Sequence, residues 1–166
     1  MAIRFDNRVA IVTGAGAGLG EQHAKLLASL GAKVVVNAPG GAVDGRGTAA
    51  AVADKVVAEI KAAGGEAVAS YDSVATWAGA QNIVKTAMDN WGRMDILVAN
   101  AGILRDKSFN NMDMEDFEVV MQVHLMGTVY CTKAAWQIMR SQRYGRVVVT
   151  TSGSGTVGNF GQANYG

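Results

Sequence analysis

Alternate glycines at positions 14, 16, 18 and 20 are the residues whose type and spacing point most directly to chemistry. They follow the apolar, mostly β-branched run 9–12, which is typical of a strand buried on both faces of a parallel sheet. A helix is predicted to begin near Gly18 and to end at Gly31. Glycines permit a tight turn and a close approach to a ligand, while a helix N-terminus offers unpaired N–H groups and partial positive charge. The stretch therefore predicts a site for the pyrophosphate of a nucleotide.

The spacing within this turn is more specific than its glycine content. The common dinucleotide pattern G-x-G-x-x-G does not fit, because a match that starts at Gly14 needs glycine at position 19, which is Leu19. The form present, T-G-x-x-x-G-x-G, resembles the first turn of the short-chain dehydrogenase/reductase family. The resemblance implies a set of cofactor-binding residues in the turn, namely Thr13, Gly14, Gly16, Gly18, Leu19 and Gly20. A glycine-rich turn without a ligand is the alternative.

The composition narrows the class of partner. Fifteen basic side chains stand against fourteen acidic ones in 166 residues, so nucleic acid and anionic membranes are not favoured and a small-molecule substrate is expected. Polar residues between positions 4 and 7 leave no room for a signal peptide, and no apolar run reaches membrane-spanning length. We therefore predict a cytoplasmic protein. The single cysteine, Cys131, is expected to fill the core, and no metal site is predicted.

Strand and helix patterns alternate along the chain, which predicts an α/β fold with a doubly wound parallel sheet of the Rossmann type. After the first strand, further strands are predicted at 33–37, 67–71, 95–99 and 146–151. The first helix carries larger side chains at intervals of three and four, at Leu19, His23, Leu26, Leu27 and Leu30. One long helix is predicted after residue 113, with a core side formed by Phe117, Val120, Met121, His124, Cys131, Ala135 and Ile138. Residues 1–166 form one predicted domain, and we expect the strand order 3-2-1-4-5.

Other residues match the nucleotide site of the same family. Asp72 follows the third predicted strand, where the family commonly places an aspartate against the adenine, and Ser73 lies beside it. Asn100-Ala101-Gly102 matches the family's N-A-G motif next to the bound nucleotide. The second strand ends in Asn37-Ala38, where an acidic residue would bind the ribose hydroxyls and repel a 2′-phosphate. We therefore expect NAD as cofactor with NADP as a close second, and Arg46 is the nearby basic residue that could reach a phosphate.

The end of the sequence resembles the family's catalytic segment. Ser152 follows the fifth predicted strand, and Tyr165 lies thirteen residues later, at the family's spacing of serine and tyrosine. The resemblance implies Tyr165 as acid or base and Ser152 as hydrogen-bond donor to the substrate oxygen. A phenol is a weak base at neutral pH unless positive charge stabilises the phenolate. The family's lysine would stand at position 169, beyond Gly166, so we expect further chain, continuous or separate, to complete the site and the sheet.

The remaining catalytic position of the family is an asparagine in an N-x-x-G pattern, which here reads His124-Leu-Met-Gly127. A histidine at this position is either a packed core residue or a group that holds a water in a proton relay. Several segments together resemble the dehydrogenase part of multifunctional β-oxidation enzymes and their bacterial relatives. They are His124, Asn37, residues 71–74 and residues 158–165. That branch implies a 3-hydroxyacyl-CoA substrate and a homo-oligomer. Two alternatives are open: a reductase of 3-oxoacyl thioesters or other ketones, and a nucleotide-binding module without catalysis.

Overall fold

Five parallel strands form one sheet in the computed structural model, which describes residues 3–40, 44 and 51–166. The strands are β1 (Val9–Thr13), β2 (Lys33–Asn37), β3 (Glu66–Ser70), β4 (Ile96–Ala99) and β5 (Arg146–Val149). Their order across the sheet is β3-β2-β1-β4-β5. The predicted α/β fold and strand order are thus confirmed. In such sheets, ligands bind at the carboxyl ends of the strands where the order reverses, which here is between β1 and β4.

Helices cover both faces of the sheet, and the alternation of side chains in β1 explains why. The helices are α1 (Gly18–Ser29), α2 (Ala51–Ala62), α3 (Trp77–Trp91), α4 (Met114–Met121), α5 (Gly127–Gln142) and α6 (Gly153–Val157). Ala10 and Val12 of β1 pack in one core layer with α1 and α2, whereas Val9 and Ile11 pack in the other with α3 and α5. Because successive side chains of the strand enter opposite core layers, the side chains on both faces of β1 must be apolar. Burial of each valine or isoleucine contributes about 1.5–3 kcal/mol to the free energy of folding.

The buried face of α1 differs from the predicted leucine stripe. Leu19 and Leu26 are 69% and 58% exposed. His23 is exposed as well, while Leu27 and Leu30 are half-buried. The fully buried positions of this helix hold small residues, Gly20, Ala24 and Ala28. Small side chains let α1 lie close to the sheet directly after the glycine turn, so close packing selects the buried face of this helix. Leu27 of the predicted series packs against the edge of the same core, whereas Leu19 and Leu26 do not.

The predicted long helix is interrupted. α4 ends at Met121, a wide π-helical turn follows at Gln122–Met126, and α5 begins at Gly127. A Cβ on Gly127 would lie 2.8 Å from Cγ2 of Val74, so a glycine is required where α5 starts. Three residues of the predicted core side are fully buried, namely Val120, Cys131 and Ala135. Burial also raises the pKa of the Cys131 thiol to about 11, which agrees with a neutral core residue.

The carboxylate of Asp95 ties β1 to β4 at the amino end of the sheet, one residue before the observed start of β4. Its Oδ2 accepts a hydrogen bond of 2.9 Å from the Val9 N–H, and its Oδ1 binds the guanidinium groups of Arg8 and Arg93 at 2.9 and 2.7 Å. Burial would raise the pKa of Asp95, but these hydrogen bonds outweigh that effect and lower the pKa. The register of the two strands is therefore held far from the edge where the functional residues lie.

β5 is one of the two edge strands of the described sheet, and β3 is the other. Its residues Val147, Val148 and Val149 are 38%, 53% and 46% exposed, although an unbroken valine run is typical of a strand buried on both faces. The strand ends at Val149, two residues earlier than predicted, and the Thr150 N–H still donates to the carbonyl oxygen of Ala99 at 3.1 Å.

Part of the segment after β2 lies outside the described residues. From the sequence, the glycine-rich residues 38–47 are predicted to form a loop, and the structure describes them only as far as Gly40 and at Asp44, so Arg46 lies outside the described part. Within the described ranges, every helix is too short or too polar to cross a membrane.

Candidate functional site

The four glycines lie at the carboxyl end of β1, where the strand turns into α1. A Cβ on Gly14 would lie 2.8 Å from Cα of Ala101, and one on Gly20 would lie 2.3 Å from the carbonyl oxygen of Gly14. Gly14 and Gly18 also have positive φ angles of 64° and 57°. Gly18 differs from the others because no described atom stands within 4 Å of its Cβ position. The turn is packed tightly on the β4 side and open at Gly18, where a ligand can approach the backbone.

Gly16 packs the turn against the end of β2. A Cβ at this glycine would lie 2.7 Å from Cγ2 of Val52 and 2.9 Å from Cβ of Ala38. Asn37 is fully buried, and its Nδ2 donates a hydrogen bond of 2.9 Å to the carbonyl oxygen of Asp72. The Oδ1 of Asn37 has no hydrogen-bond partner in the described part of the chain. The structure thus brings Asn37 and Ala38 beside the glycine turn.

Asp72 and Ser73 lie at the same edge of the sheet, in the loop between β3 and α3. Oδ1 of Asp72 accepts a hydrogen bond of 2.9 Å from Nδ2 of Asn82 in α3. Oγ of Ser73 accepts one of 3.2 Å from the Ala75 N–H. Both side chains therefore stabilise the entry into α3, and the Asn37 bond to the Asp72 carbonyl joins this loop to β2.

The N-A-G stretch after β4 is bound to the end of β1 through Thr13. Oγ1 of Thr13 accepts hydrogen bonds from the N–H groups of Asn100 and Ala101 at 3.0 and 3.1 Å. Nδ2 of Asn100 donates in return to the carbonyl oxygens of Thr13 and Gly14 at 3.0 and 3.3 Å. Thr13 is only 2% exposed, so its side chain holds the two strand ends together instead of facing a ligand.

A cavity of about 650 Å³ opens at this edge between the ends of β4 and β5 and the π-helical turn. It is lined by the three residues predicted to be catalytic, Ser152, Tyr165 and His124, and by the predicted cofactor residues Asn100, Ala101 and Gly102. Oγ of Ser152 accepts a hydrogen bond of 3.2 Å from the Ser154 N–H at the start of α6. The Ser152 proton has only a 3.4 Å contact with the Ser154 hydroxyl, so it is available to a substrate oxygen.

His124 connects the π-helical turn to the backbone that follows the N-A-G stretch. Its Nε2 lies 2.9 Å from both the backbone nitrogen and the carbonyl oxygen of Ile103, and the tautomer decides which contact is the hydrogen bond. A Cβ on Gly102 would lie 2.4 Å from Cε1 of His124, so a glycine is needed beneath the ring. The Tyr165 ring stands edge-on to the imidazole with centroids 5.1 Å apart. His124 is therefore a packed, hydrogen-bonded residue that also lines the cavity.

The residues that hold the segment before Tyr165 were not predicted from the sequence. Asn164 is buried and lines the cavity, and its Nδ2 donates to the carbonyl oxygen of Arg105 at 3.1 Å. The guanidinium of Arg105 binds the carboxylate of Asp116 at 2.7 Å. Asn164 could have been found, because it directly precedes the predicted tyrosine. The pair of Arg105 and Asp116 has no such signal, because only the folded chain brings the two side chains together.

The site combines an open backbone turn with a cavity that holds a hydroxyl, a phenol and an imidazole. Such groups can bind a phosphate-bearing cofactor and exchange protons with a substrate oxygen. Among residues 3–40, 44 and 51–166, no group of three or more His, Cys, Asp or Glu side chains could hold a metal ion. The glycine positions fit a dinucleotide because any Cβ at Gly14 or Gly20 would disturb the turn, while Gly18 leaves space for the ligand.

Comparisons with known proteins point to one family. A family model described as short chain dehydrogenase matches residues 8–166. A short-chain type dehydrogenase/reductase of Mycobacterium tuberculosis is 58% identical over 96% of this chain and 56% of its own length. Peroxisomal multifunctional enzyme type 2 of Mus musculus is 53% identical over 98% of this chain and 22% of its own length. This chain thus spans little more than half of the mycobacterial protein.

A solved structure supports the same fold. It is that of 7α-hydroxysteroid dehydrogenase in complex with NADH and 7-oxo glycochenodeoxycholic acid, and it matches with a TM-score of 0.87 at 30% sequence identity. The match covers 98% of this chain and 60% of that one.

We expect Gly18→Val to block dinucleotide binding, because the valine side chain would fill the open space above the turn. Gly92→Val is the matched control: Gly92 has a φ of 66°, also has open space at its Cβ position, and ends α3 at the opposite edge of the sheet. Both changes carry a similar backbone strain of about 1–2 kcal/mol. Calorimetric titration with NAD⁺ should show that affinity for NAD⁺ falls by about tenfold or more in Gly18→Val and stays unchanged in Gly92→Val. Equal affinities in the two variants would contradict the site.

Gly102→Ala should destabilise the protein by about 1–3 kcal/mol, because the new methyl group would overlap the His124 ring. In the double variant with His124→Ala the overlap is removed, so the second change should recover part of the lost stability. Urea unfolding of the wild type, both single variants and the double variant gives the coupling energy. Strictly additive losses would show that the ring does not press on residue 102.

Proposed function

Because the chain belongs to the short-chain dehydrogenase/reductase family, we propose that it binds a nicotinamide dinucleotide at the glycine turn and serves hydride transfer to or from a secondary alcohol or ketone. The observation that carries this proposal is the cavity in which Ser152 and Tyr165 meet Gly102, at the sheet edge where the turn opens at Gly18. Ligands of open α/β sheets bind at this edge.

The side chains of the cavity account for the proton and for the substrate oxygen. When bound, the nicotinamide supplies or accepts the hydride. The phenol of Tyr165 gives a proton to the substrate oxygen, or takes it, according to the direction of the reaction. The hydroxyl of Ser152 donates a hydrogen bond to the same oxygen and stabilises the charge that develops there. His124 is hydrogen-bonded to the backbone of Ile103 and packs on Gly102, which forms the floor of the cavity beside Tyr165.

The phenol needs a neighbouring positive charge to act as a base at neutral pH. We propose that the lysine which the family resemblance implies four residues after Tyr165 supplies this charge. The activity, substrate and partners proposed here are those of the whole protein in which these residues occur. Tests of turnover therefore use the native full-length protein.

The proposed substrate is a 3-hydroxyacyl-CoA, with NAD⁺ as hydride acceptor. It is supported by the sequence motifs shared with the multifunctional β-oxidation branch and by the high identity with the mouse multifunctional enzyme over nearly the whole chain. Ala38 favours a second candidate, the reduction of 3-oxoacyl thioesters by NADPH. No carboxylate stands at this position to repel the 2′-phosphate of that cofactor.

The proposed assembly is a homo-oligomer, a dimer or a tetramer, in the cytoplasm. Exposed apolar side chains on the π-helical turn and α5 support contact with another copy: Leu125, Val129 and Trp136 are 52%, 46% and 55% exposed. The mouse relative bears the word peroxisomal in its name, and the cytoplasmic assignment stays a prediction.

Tyr165→Phe should lower kcat by about 100-fold or more, because it removes the hydroxyl that exchanges the proton, while NAD⁺ affinity stays the same. Ser152→Ala should lower kcat strongly as well. The assays are oxidation of 3-hydroxybutyryl-CoA with NAD⁺ and reduction of acetoacetyl-CoA with NADPH. Tyr144→Phe is the control, since Tyr144 packs between Arg8 and Arg146 instead of in the cavity. Retained turnover in Tyr165→Phe would remove this residue from its role. No turnover by the unmodified protein would favour nucleotide binding without catalysis.

Ala38→Asp should shift cofactor preference toward NAD by roughly tenfold to a thousandfold, because the carboxylate would bind ribose hydroxyls and repel a 2′-phosphate. Ala38→Asn is the control, because an asparagine side chain has nearly the shape of aspartate without its charge. It should shift the cofactor preference less than Ala38→Asp does. Dissociation constants for NAD⁺ and NADP⁺, measured side by side, decide the outcome. Strong NAD preference in the unmodified protein would mean that another group makes the selection.

A further inference from the structure

Asn164 lies buried directly before Tyr165, with 3% of its surface exposed. Its Nδ2 donates hydrogen bonds to the carbonyl oxygens of Arg105 at 3.1 Å and Asp116 at 3.4 Å. Because both neighbours of this end of the amide are acceptors, they fix the orientation of the side chain. Oδ1 is then buried with no hydrogen-bond partner among the residues that the structure describes.

This orientation has a cost in stability, because a buried carbonyl oxygen without a partner loses its hydrogen bonds to water. An apolar side chain would fill the same space without that cost. What only the amide provides is a link between three parts of the chain: the residue before Tyr165, the stretch at Arg105 and the first turn of α4. We propose that Asn164 is a positioning residue that fixes the phenol of Tyr165 in the cavity, and this inference rests on the function proposed for Tyr165.

The elements that receive the amide form a rigid support. The guanidinium of Arg105 binds the Asp116 carboxylate at 2.7 Å, with only 14% and 10% of these side chains exposed. Nζ of Lys107 lies 3.0 Å from the same carboxylate. Hydrogen bonds from Arg105 and Lys107 lower the pKa of Asp116 and keep it ionised. The Arg105 stretch and α4 are therefore joined to each other independently of Asn164.

Two further hydrogen bonds hold the segment that leads to Asn164. The Lys107 N–H donates to the carbonyl oxygen of Gly161 at 2.9 Å, and Nε2 of Gln162 donates to Oδ2 of Asp106 at 2.9 Å. Residues 161–164 are thus held along the stretch 105–107. On its other side, the Tyr165 ring contacts His124. Among the residues that hold this segment by hydrogen bonds, Asn164 is the last before Tyr165 and the most buried.

Asn164→Ala should therefore lower kcat by about 10- to 100-fold, since a displacement of about 1 Å from the reactive geometry can have an effect of this size. The NAD⁺ dissociation constant should stay within about twofold, because the glycine turn does not change. KM should change much less than kcat, because Asn164 lines the cavity with only 3% of its surface exposed. Asn159→Ala is the matched control: Asn159 is exposed in the same loop, and its side-chain amide donates to Oε1 of Gln162 at 2.8 Å.

Asn164→Asp adds a pH test with almost no change of shape. An ionised carboxylate would face two carbonyl oxygens, whereas the protonated form again has a donor for one of them. Burial raises the pKa of a carboxyl group, so kcat of this variant should rise as the pH falls toward about 5. The charged neighbours Arg105, Lys107 and Asp116 stay paired over this range, and the wild type measured at the same pH values is the reference. A loss that is merely structural would not recover at low pH.

The position of the phenol can also be measured without turnover. NMR spectra of tyrosine-labelled protein should show the Tyr165 ring resonances shifted in Asn164→Ala and unchanged in Asn159→Ala. This result separates the positioning role from the proposed activity, because it needs no substrate. Unchanged Tyr165 resonances together with unchanged kcat would overturn the inference. A loss of kcat accompanied by an equal loss of NAD⁺ affinity would overturn it as well, because that pattern belongs to general loss of structure.

Discussion

The hydrogen bonds between Thr13 and the Asn100–Ala101 backbone are the interaction on which the rest of the site depends. One threonine oxygen accepts two N–H groups, and the Asn100 amide returns two bonds to the carbonyl oxygens of Thr13 and Gly14. These bonds join the carboxyl ends of β1 and β4, where the strand order reverses. The glycine turn and the cavity floor therefore have a fixed distance from each other, because each is an extension of one of these two strands.

The cavity depends on a second constraint, the wide turn between α4 and α5. A continuous helix would carry His124 in line with the buried side of α5, whereas the π-helical turn presents its ring to Gly102 and Ile103. The ring can lie there only because residue 102 has no side chain. Tyr165 then packs edge-on against the same imidazole. Residues from three distant parts of the sequence thus meet through one backbone irregularity and one glycine.

The strands and their order could be predicted from the sequence because buried parallel strands require unbroken apolar runs, and these are visible at residues 9–12 and 33–37. The edge at which the predicted site residues meet followed from the same pattern. The exposure of Leu19 and Leu26 could not be predicted from the sequence, since it depends on how closely α1 approaches the sheet. The hydrogen bonds of Asn164 could not be predicted from the sequence either, because they depend on two backbone carbonyl groups that only the folded chain brings together.

The dinucleotide proposed for the glycine turn would lie across the ends of β1 and β4. Backbone amide NMR spectra recorded during titration with NAD⁺ test this placement most directly, because every N–H group reports on its own surroundings. We expect saturable shifts at residues 13–20, 37–38 and 100–103, and little change near Asp95 and Gly92 at the opposite edge. Shifts that cluster at the Asp95 edge, or none at saturating NAD⁺, would contradict it.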